Sequence, residues 1–298
     1  MAGLKAIKSK IKSVEKTQKV TKAMEAVSAA KMRKSQARAF DARGYARAAV
    51  SILARLSGSQ TLQTHPLTEV RTVKKALYIV ITSDKGLAGA LNSAVLRSVQ
   101  AQMLASELEQ ENISVVAIGR KANDFFIARG YRVEEFFLNT DDISSDRIHA
   151  LAFGAAERFA DKAVDAVYVA YQDFVSTFEQ SPALRRMLPL STVELEKVVA
   201  RSHNDPQDSL SPSLYTVEPS EEEVLSELIP KLAGIFVYHA LLETQASEHS
   251  ARMVAMKGAS DKAGEMEHAL QLQFNKARQA AITREVSEIT GGMEAMAG

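Results

Sequence analysis

Two helical patterns, one at each end of the chain, are too long to fit inside a compact domain. The first lies within residues 3–57, which contain no proline, and its apolar side chains recur three and four positions apart. The second follows Pro230 and runs almost to the C-terminus. At 1.5 Å per residue the two helices would span ~80 and ~105 Å, whereas a compact chain of this size is roughly 50 Å across. Both helices must protrude, and we expect them to pair with each other.

The apolar positions of these helices have the spacing of a coiled-coil seam. In the first helix they are Leu4, Ile7, Ile11 and Val14, then Tyr45, Ala49, Ile52 and Leu56. The stretch between the two groups is rich in Ala and Met, which predicts a slim helix. In the second helix the seam is predicted at Leu228, Leu232, Ile235, His239, Leu242, Ala246, His249, Met253 and Met256. After a break around Gly258 and Gly264 the pattern resumes at Ile282, Val286, Ile289 and Met293.

Between the terminal helices, short apolar runs alternate with helical patterns. Strands are predicted at 76–82, 114–118, 132–138, 166–171 and 187–190, and helices at 91–108, 121–129 and 145–160. Such alternation implies a doubly wound, mostly parallel sheet. The turn at Gln180-Ser181-Pro182 suggests that the last, edge strand folds back as a hairpin. The predicted fold class is α/β plus coiled coil, with two long terminal helices forming an antiparallel coiled-coil shaft on a Rossmann-like α/β domain.

These patterns divide the chain into four parts. They are an N-terminal shaft helix (1–58), the Rossmann-like α/β domain (72–200), an acidic linker (201–219) and a C-terminal shaft helix (220–298). A Gly/Ser/Thr/Pro linker at 58–72 joins the first two parts. Ser220 and Glu223 have capping-box spacing, which predicts the start of the last helix.

The net charge of +1 conceals a basic arm on an acidic body. Residues 1–57 hold 14 Lys and Arg against three acids, and the rest of the chain holds 23 basic and 33 acidic residues. One helix face carries the stripe Lys5, Lys8, Lys12, Lys16 and Lys19. The stripe fits a nucleic-acid binder, a solvated face or a protein partner with acidic loops, and electrostatics alone does not separate these three. No aromatic residue lies among the lysines to stack on bases.

No residue pattern predicts a catalytic centre. The chain has no Cys, which excludes a disulfide framework and a thiolate metal site. The loop 83–89 follows the first strand, where nucleotide-binding folds place a phosphate loop, but it has neither a GxGxxG nor a GxxxxGK[ST] pattern. We interpret it as a tight strand-to-helix turn that needs glycine. The six histidines show no metal-ligand spacing. We expect no metal and no cofactor.

Neither a membrane span nor an N-terminal signal is predicted. The N-terminus runs straight into the charged helical pattern without an apolar core. The longest apolar stretch, 232–242, has 11 residues, which is too short to cross a bilayer.

The ends of the chain carry a family resemblance. The run ITREVSEITGG at 282–292 resembles the C-terminal signature of the F-type ATP synthase gamma subunit, with Met293 where the family pattern has Ala. Four other segments are similar to the same family: TQKVTKAM at 17–24, KMRK at 31–34, SDKGL at 83–87 and RMVAMK at 252–257. Ala88 stands where the family often has Cys, and a cysteine-bearing regulatory insert is absent, so thiol control is not expected.

The resemblance implies a function that the residue chemistry alone does not give. Family members form the central rotor shaft of the proton-translocating ATP synthase, with the paired terminal helices inside a hexamer of alternating alpha and beta subunits. The α/β domain and the lower coiled coil would rest on the membrane c-ring beside an epsilon-type subunit. One copy per complex, no nucleic-acid partner and no membrane-spanning segment are implied. Nucleotide chemistry would occur in the beta subunits, so this chain is expected to be non-catalytic.

The matching motif positions also imply where the shaft meets the hexamer. The implied contact residues are Arg278, Gln279, Thr283 and Glu285, with Lys8, Lys12, Met24 and Arg33 as weaker candidates on the N-terminal helix. The absence of a transit peptide favours the cytoplasmic side of a bacterial inner membrane over a mitochondrial inner membrane. Two other interpretations remain open at this stage: a coiled-coil protein that binds nucleic acid, and a nucleotide-binding enzyme built on the α/β domain.

Overall fold

A five-stranded sheet organises the middle of the chain. The computed structural model describes residues 2–56, 60–139, 143–190 and 218–297. The strands are β1 (Ala76–Ile81), β2 (Ile113–Ile118), β3 (Arg132–Phe137), β4 (Ala166–Phe174) and β5 (Gln180–Leu188). Their order in the sheet is β3-β2-β1-β4-β5, and all pairs are parallel except β4 with β5. The predicted doubly wound sheet with an antiparallel edge strand is confirmed.

Six α-helices accompany the sheet in the described residues. They are α1 (Ala2–Leu56), α2 (Gln60–Thr64), α3 (Leu91–Ala105), α4 (Arg120–Ile127), α5 (Ser145–Ala160) and α6 (Glu221–Ala297). Short 3₁₀ turns lie at Pro66–Thr68 and Gln110–Asn112. At 55 and 77 residues, α1 and α6 are the two long terminal helices that the sequence predicts.

Strand β1 separates two apolar cores because successive side chains in a strand point to opposite faces. Leu77, Ile79 and Ile81 pack in the core that α5 and the first part of α6 cover. Tyr78 and Val80 pack in the other core, with side chains from α3 and α4. Every residue of β1 is buried, which explains its uninterrupted apolar sequence.

Helix α6 begins where its capping residue predicts. The Ser220 hydroxyl accepts a hydrogen bond from the backbone N–H of Glu223 at 3.2 Å, as an N-cap does. From there α6 runs without interruption to Ala297, as the predicted single long helix does, and the break in the apolar pattern around Gly258 and Gly264 does not interrupt the helix. The acidic segment predicted before the cap lies mostly outside the described residues.

Two local predictions near the sheet are wrong: the place of the hairpin turn and the linker at 58–72. Gln180–Pro182 belong to β5, and the hairpin turn lies at 175–179, where the Ser176 hydroxyl accepts hydrogen bonds from the backbone N–H groups of Phe178 and Glu179. The segment predicted as a linker at 58–72 contains α2 and the turn Pro66–Thr68, and its Leu62 and Leu67 are buried in the α5 core.

The described chain forms two compact units. One unit contains Met1–Ala29 and Arg252–Gly298, and therefore only parts of α1 and α6. The other unit contains Ala30–Ala251 and therefore the whole sheet with α2 to α5.

Candidate functional site

The first unit is built from the two chain ends, and α1 buries one continuous stripe there. Positions of low exposure alternate by three and four residues: Leu4, Ile7, Ile11, Val14, Gln18, Thr21, Glu25 and Ser28. The predicted apolar start of the seam is confirmed. Beyond Val14 the stripe continues with polar and small residues, which a search for apolar spacing does not find. The predicted seam positions 45–56 lie on α1, but their side chains are outside the described residues.

A close approach between α1 and α6 shows that the two helices pair. A Cβ atom added to Gly264 would lie 2.8 Å from Nε2 of Gln18, so glycine lets the Gln18 side chain reach the α6 backbone. Ser260, one turn earlier on α6, and Ala263, directly before Gly264, are buried. Gly264, predicted to interrupt the seam, is thus part of it.

The exposure of α6 fits antiparallel pairing. With Gln18 opposite Gly264, the first residues of α1 would face α6 near residue 280, and α6 beyond that point would have no partner helix. Its seam positions remain half-buried as far as Ala281 and are exposed from Ile282 to Met293. The paired helices therefore form the predicted antiparallel shaft.

The last turns of α6 present apolar side chains to solvent. Ile282, Val286, Ile289 and Met293 are each more than half exposed, although the sequence predicts them as a resumed seam. Within this chain they are not a seam, because α1 does not extend beside them. A contiguous apolar stripe on an exposed helix end is typical of a surface that a partner covers.

The residues implied as hexamer contacts are on accessible surface. Arg278, Gln279, Thr283 and Glu285 are exposed on α6, next to or within the unpaired end. The described residues give none of these four side chains a hydrogen bond or an ion pair. On α1, Lys8, Lys12 and Arg33 are exposed and Met24 is half-buried.

The lysine stripe of α1 faces solvent along its whole length, from Lys5 to Lys19. Lys19 donates a hydrogen bond to Glu15 at 2.7 Å. This contact raises the pKa of Lys19, with smaller help from the charge of Glu267 on α6, and lowers the pKa of Glu15. The stripe is a positively charged surface, and the ion pair between Lys19 and Glu15 neutralises only part of its charge.

In the second unit, the edge of the sheet that binds ligands in other doubly wound folds is filled by the chain itself. The amide of Asn139 donates to the Thr82 carbonyl at 2.8 Å and accepts from Gln245 on α6 at 3.0 Å. Ser83 and Asn92 hydrogen-bond each other through two contacts of 3.0 and 2.7 Å. The structure thus gives no support to a phosphate loop here.

The loop 83–89 has the geometry of a tight turn. Leu87 and Gly89 have φ angles of 64° and 60°, the region that favours glycine. The Asp84 carboxylate accepts a hydrogen bond from the N-terminal backbone N–H of α4, at Arg120. Among the described residues, no cluster of three or more His, Asp or Glu is arranged to hold a metal ion.

Helix α6 is, in the described part of the chain, the one helix long and apolar enough to cross a membrane. Of its apolar window, 56% is buried inside the protein. Core helices of globular proteins show the same combination, so length and composition do not make α6 a membrane span.

Comparison with known proteins gives one consistent family. The family model described as ATP synthase matches residues 3–296. The ATP synthase gamma chain of Heliobacterium modesticaldum is 41% identical over 298 residues, covering 99% of this chain and 100% of the relative. That of Brevibacillus brevis is 40% identical over 297 residues, covering 99% of both chains.

Solved structures of central stalks have a similar fold. The central stalk and c-ring structure of Tetrahymena thermophila mitochondrial ATP synthase matches with 25% identity and a TM-score of 0.61, over 81% of this chain and 99% of that one. A structure of Euglena gracilis mitochondrial ATP synthase matches with 20% identity and a TM-score of 0.66, over 99% of this chain and 95% of that one, and shows the fold alone.

The end motifs and the paired terminal helices agree with these relatives, and nothing supports a nucleotide-binding enzyme or a nucleic-acid binder. The chain belongs to the ATP synthase gamma family, the non-catalytic rotor subunit of the central stalk.

Proposed function

We propose that this chain couples proton flow through a membrane c-ring to conformational change in the catalytic beta subunits of a hexamer of alpha and beta subunits. The observation that carries the proposal is the end of α6, where the apolar side chains of Ile282, Val286, Ile289 and Met293 are exposed. A helix end of this kind fits a partner that encloses it, because its apolar side chains then leave water. The hexamer is such a partner.

Asymmetric contact is the physical requirement for coupling. A rotor shifts a beta subunit between open and closed states only if it contacts the two states differently. A complete switch of the populations needs a difference of about 5.5 kcal/mol. Apolar Ile282 and Ile289 next to polar Arg278 and Glu285 give one α6 face two kinds of contact, so rotation would present different chemistry to each beta subunit in turn.

Arg278 and Gln279 are the residues we assign to the most specific contact, with Thr283 and Glu285 in the same region. A guanidinium fork can bind a carboxylate or two carbonyl oxygens at once, and an amide can donate and accept. On α1, we assign Lys8, Lys12, Met24 and Arg33 to weaker contacts. The exposed lysine stripe fits acidic loops on the hexamer rather than nucleic acid.

Three parts of the four-part division predicted from the sequence can be given a partner in the complex. The shaft helices, 1–58 and 220–298, would serve the hexamer, and the α/β domain, 72–200, would serve the c-ring and the epsilon-type subunit. The complex would hold one copy, peripheral to a bacterial inner membrane on the cytoplasmic side. A mitochondrial inner membrane is the less favoured location.

The test is the double substitution Arg278→Ala with Gln279→Ala in the assembled, membrane-bound complex. Both side chains are exposed and contribute nothing to the seam, so folding should change by less than about 0.5 kcal/mol. Loss of one charge-assisted hydrogen bond made only in the rate-limiting state should slow ATP hydrolysis and proton pumping by about 10- to 100-fold. The matched control is Arg97→Ala with Gln102→Ala, which removes the same groups from the exposed face of α3.

Normal rates in the double variant would remove Arg278 and Gln279 from the contact. A variant that fails to assemble would show that the two residues are structural. Equal slowing by the α3 control would show that the effect is not specific to the end of α6.

A further inference from the structure

Helix α6 crosses the carboxyl edge of the sheet with polar side chains facing inward. Thr244 and Ser247 are completely buried and Gln245 is almost completely buried. Burial of polar groups is unfavourable unless each finds a hydrogen-bond partner. The described partners of these three side chains lie on the sheet or on the segments that leave it, besides the α6 backbone itself.

The first anchor is the backbone of Gln172 in β4. The ladder between β1 and β4 ends at Val80 and Ala170, so two residues further on the β1 side of β4 has no strand beside it, while β5 pairs with the other side. There the Gln172 N–H donates to the Thr244 hydroxyl at 3.2 Å, and the Ser247 hydroxyl donates to the Gln172 carbonyl at 3.3 Å. Two hydroxyls, three residues apart on α6, thus bond to the backbone of β4 where a neighbouring strand would bond on its β1 side.

Two more side chains of α6, those of Gln245 and Ser250, form hydrogen bonds to other parts of the sheet edge. The Gln245 amide donates to the Asn139 side chain at 3.0 Å, and Asn139 donates to the carbonyl of Thr82 after β1. The Ser250 hydroxyl donates to the carbonyl of Thr177 in the β4–β5 turn at 2.6 Å. Four positions of α6 are therefore hydrogen-bonded to three different parts of the sheet edge.

Hydrogen bonds and apolar contacts restrain a helix differently. Apolar packing is non-directional, so a helix lying on an apolar surface can turn or slide while it keeps much of its buried area. A hydrogen bond depends on distance and angle. A rotation of α6 about its axis, or a shift by one residue, would break these bonds and leave buried groups of Gln172 unpaired.

We propose that Thr244, Gln245 and Ser247 lock the axial register and rotation of α6 against the sheet, so that a load on the α/β domain enters α6 without slippage. This register lock rests on the proposed rotor function, because only a loaded shaft needs it. The three residues are positioning residues and touch no partner subunit. α6 continues unbroken from the lock to Ala297.

The test compares three variants in the assembled complex. Thr244→Val with Ser247→Ala removes both hydroxyls and leaves the apolar packing almost unchanged. Thr244→Ser keeps the hydroxyl and is the rescue variant. Ser226→Ala is the matched control, because among the described residues the Ser226 hydroxyl bonds only to the Glu223 carbonyl of its own helix.

The first measurement is hydrogen exchange at the backbone N–H of Gln172. The double variant should exchange about 5- to 100-fold faster than the unsubstituted chain, because a protecting acceptor is lost. The rescue and control variants should exchange at the unsubstituted rate. Unchanged exchange in the double variant would show that Thr244 does not restrain β4, and would overturn the proposal.

The second measurement is the angular fluctuation of a bead fixed to the α/β domain while the hexamer is held on a surface and waits for nucleotide. The double variant should fluctuate over a wider angle and pump fewer protons per ATP against a gradient, with unloaded ATP hydrolysis unchanged. If the double variant does not assemble, the same measurements are made on Ser247→Ala alone, since it removes only the hydrogen bond to the Gln172 carbonyl. Unchanged fluctuation would overturn the lock and leave the rotor function standing, whereas an unsubstituted chain that never rotates would contradict the rotor function itself.

Discussion

At the residue scale, Asp165 joins the start of β1 to the start of β4. Its carboxylate accepts hydrogen bonds of 2.9 Å from the backbone N–H groups of Lys74 and Lys75 and from Nε of Arg71. The Arg71 guanidinium also donates to carbonyls of Phe159 and Val164 and lies 4.2 Å above the Phe159 ring. Burial acts to raise the pKa of Asp165, but these donors together hold it below its usual value.

Asp165→Asn should therefore lower the free energy of unfolding at pH 7, by about 1–3 kcal/mol. Because the pKa of Asp165 is lower in the folded state, its contribution is complete above the unfolded pKa and is lost as the pH falls through the folded one. Urea denaturation at pH 7 and near pH 3 measures this difference, which should shrink in acid. Asp161→Asn, at a neighbouring exposed carboxylate, is the control. Equal stability of Asp165→Asn and the unsubstituted chain at pH 7 would contradict the assignment.

Gly119, at the start of α4, should tolerate no side chain. Its φ is 101°, and an added Cβ would lie 2.0 Å from the Thr82 carbonyl oxygen, which is backbone. Gly119→Ala should lower the unfolding free energy by at least about 1–3 kcal/mol. Gly154→Ala on α5, where a Cβ meets nothing within 4 Å, should instead raise it by about 0.5–1 kcal/mol. Thermal melts that rank the two variants in the opposite order would refute this reading of the turn.

At the scale of elements, the pairing of α1 with α6 can be tested by a disulfide, since the chain has no native Cys. Gln18→Cys with Gly264→Cys should crosslink under mild oxidation, because the Gln18 side chain already approaches the Gly264 backbone. Gln18→Cys with Met253→Cys should not, because Met253 lies 11 residues away on α6. Gel mobility after oxidation distinguishes the two. Crosslinking of the control pair alone would mean that the register is wrong.

The central strands β1 and β2 were predictable because they are almost wholly apolar runs bounded by turns. β1 is predicted to within one residue of its observed end at Ile81. β4 extends past Tyr171 to Phe174 through Gln172 and Asp173, whose polar side chains hide the strand. β5 is an edge strand with exposed positions, so only its buried end at Met187 and Leu188 had a recognisable apolar signal.

The polar part of the α1 seam was not predictable from apolar spacing. Thr21, Ser28 and Ser35 are buried and lie seven residues apart, a repeat that continues from Val14. The Thr21 hydroxyl donates to the Thr17 and Gln18 carbonyls of its own helix, so its burial leaves no donor unpaired. A search for seven-residue repeats of small hydroxyl residues would have found this part of the seam.

The contact surface at the end of α6 was only partly predictable. Periodicity indicates that Ile282, Val286 and Ile289 share a helix face, but it does not say whether α1 covers that face. The structure shows that the face is exposed. The register lock has no sequence signal, because Thr244, Gln245 and Ser247 resemble the polar face of any surface helix.

At the scale of the whole molecule, a rotor function requires two very long helices and no catalytic centre. The α/β domain keeps the doubly wound topology, but its own Asn139 and Gln245 fill the edge where such folds bind nucleotides. The shaft leaves one helix end exposed and apolar. Both features fit a part that transmits motion between partners and does no chemistry itself.

The most direct measurement of this central claim is rotation of the chain inside a hexamer of its alpha and beta partners. A bead attached through Glu157→Cys, an exposed position on α5, reports rotation while the hexamer is fixed to a surface. We predict that ATP drives sustained rotation of the bead in one direction, and that the chain alone hydrolyses no ATP. Steady ATP hydrolysis by the assembled hexamer with a bead that does not turn would contradict it.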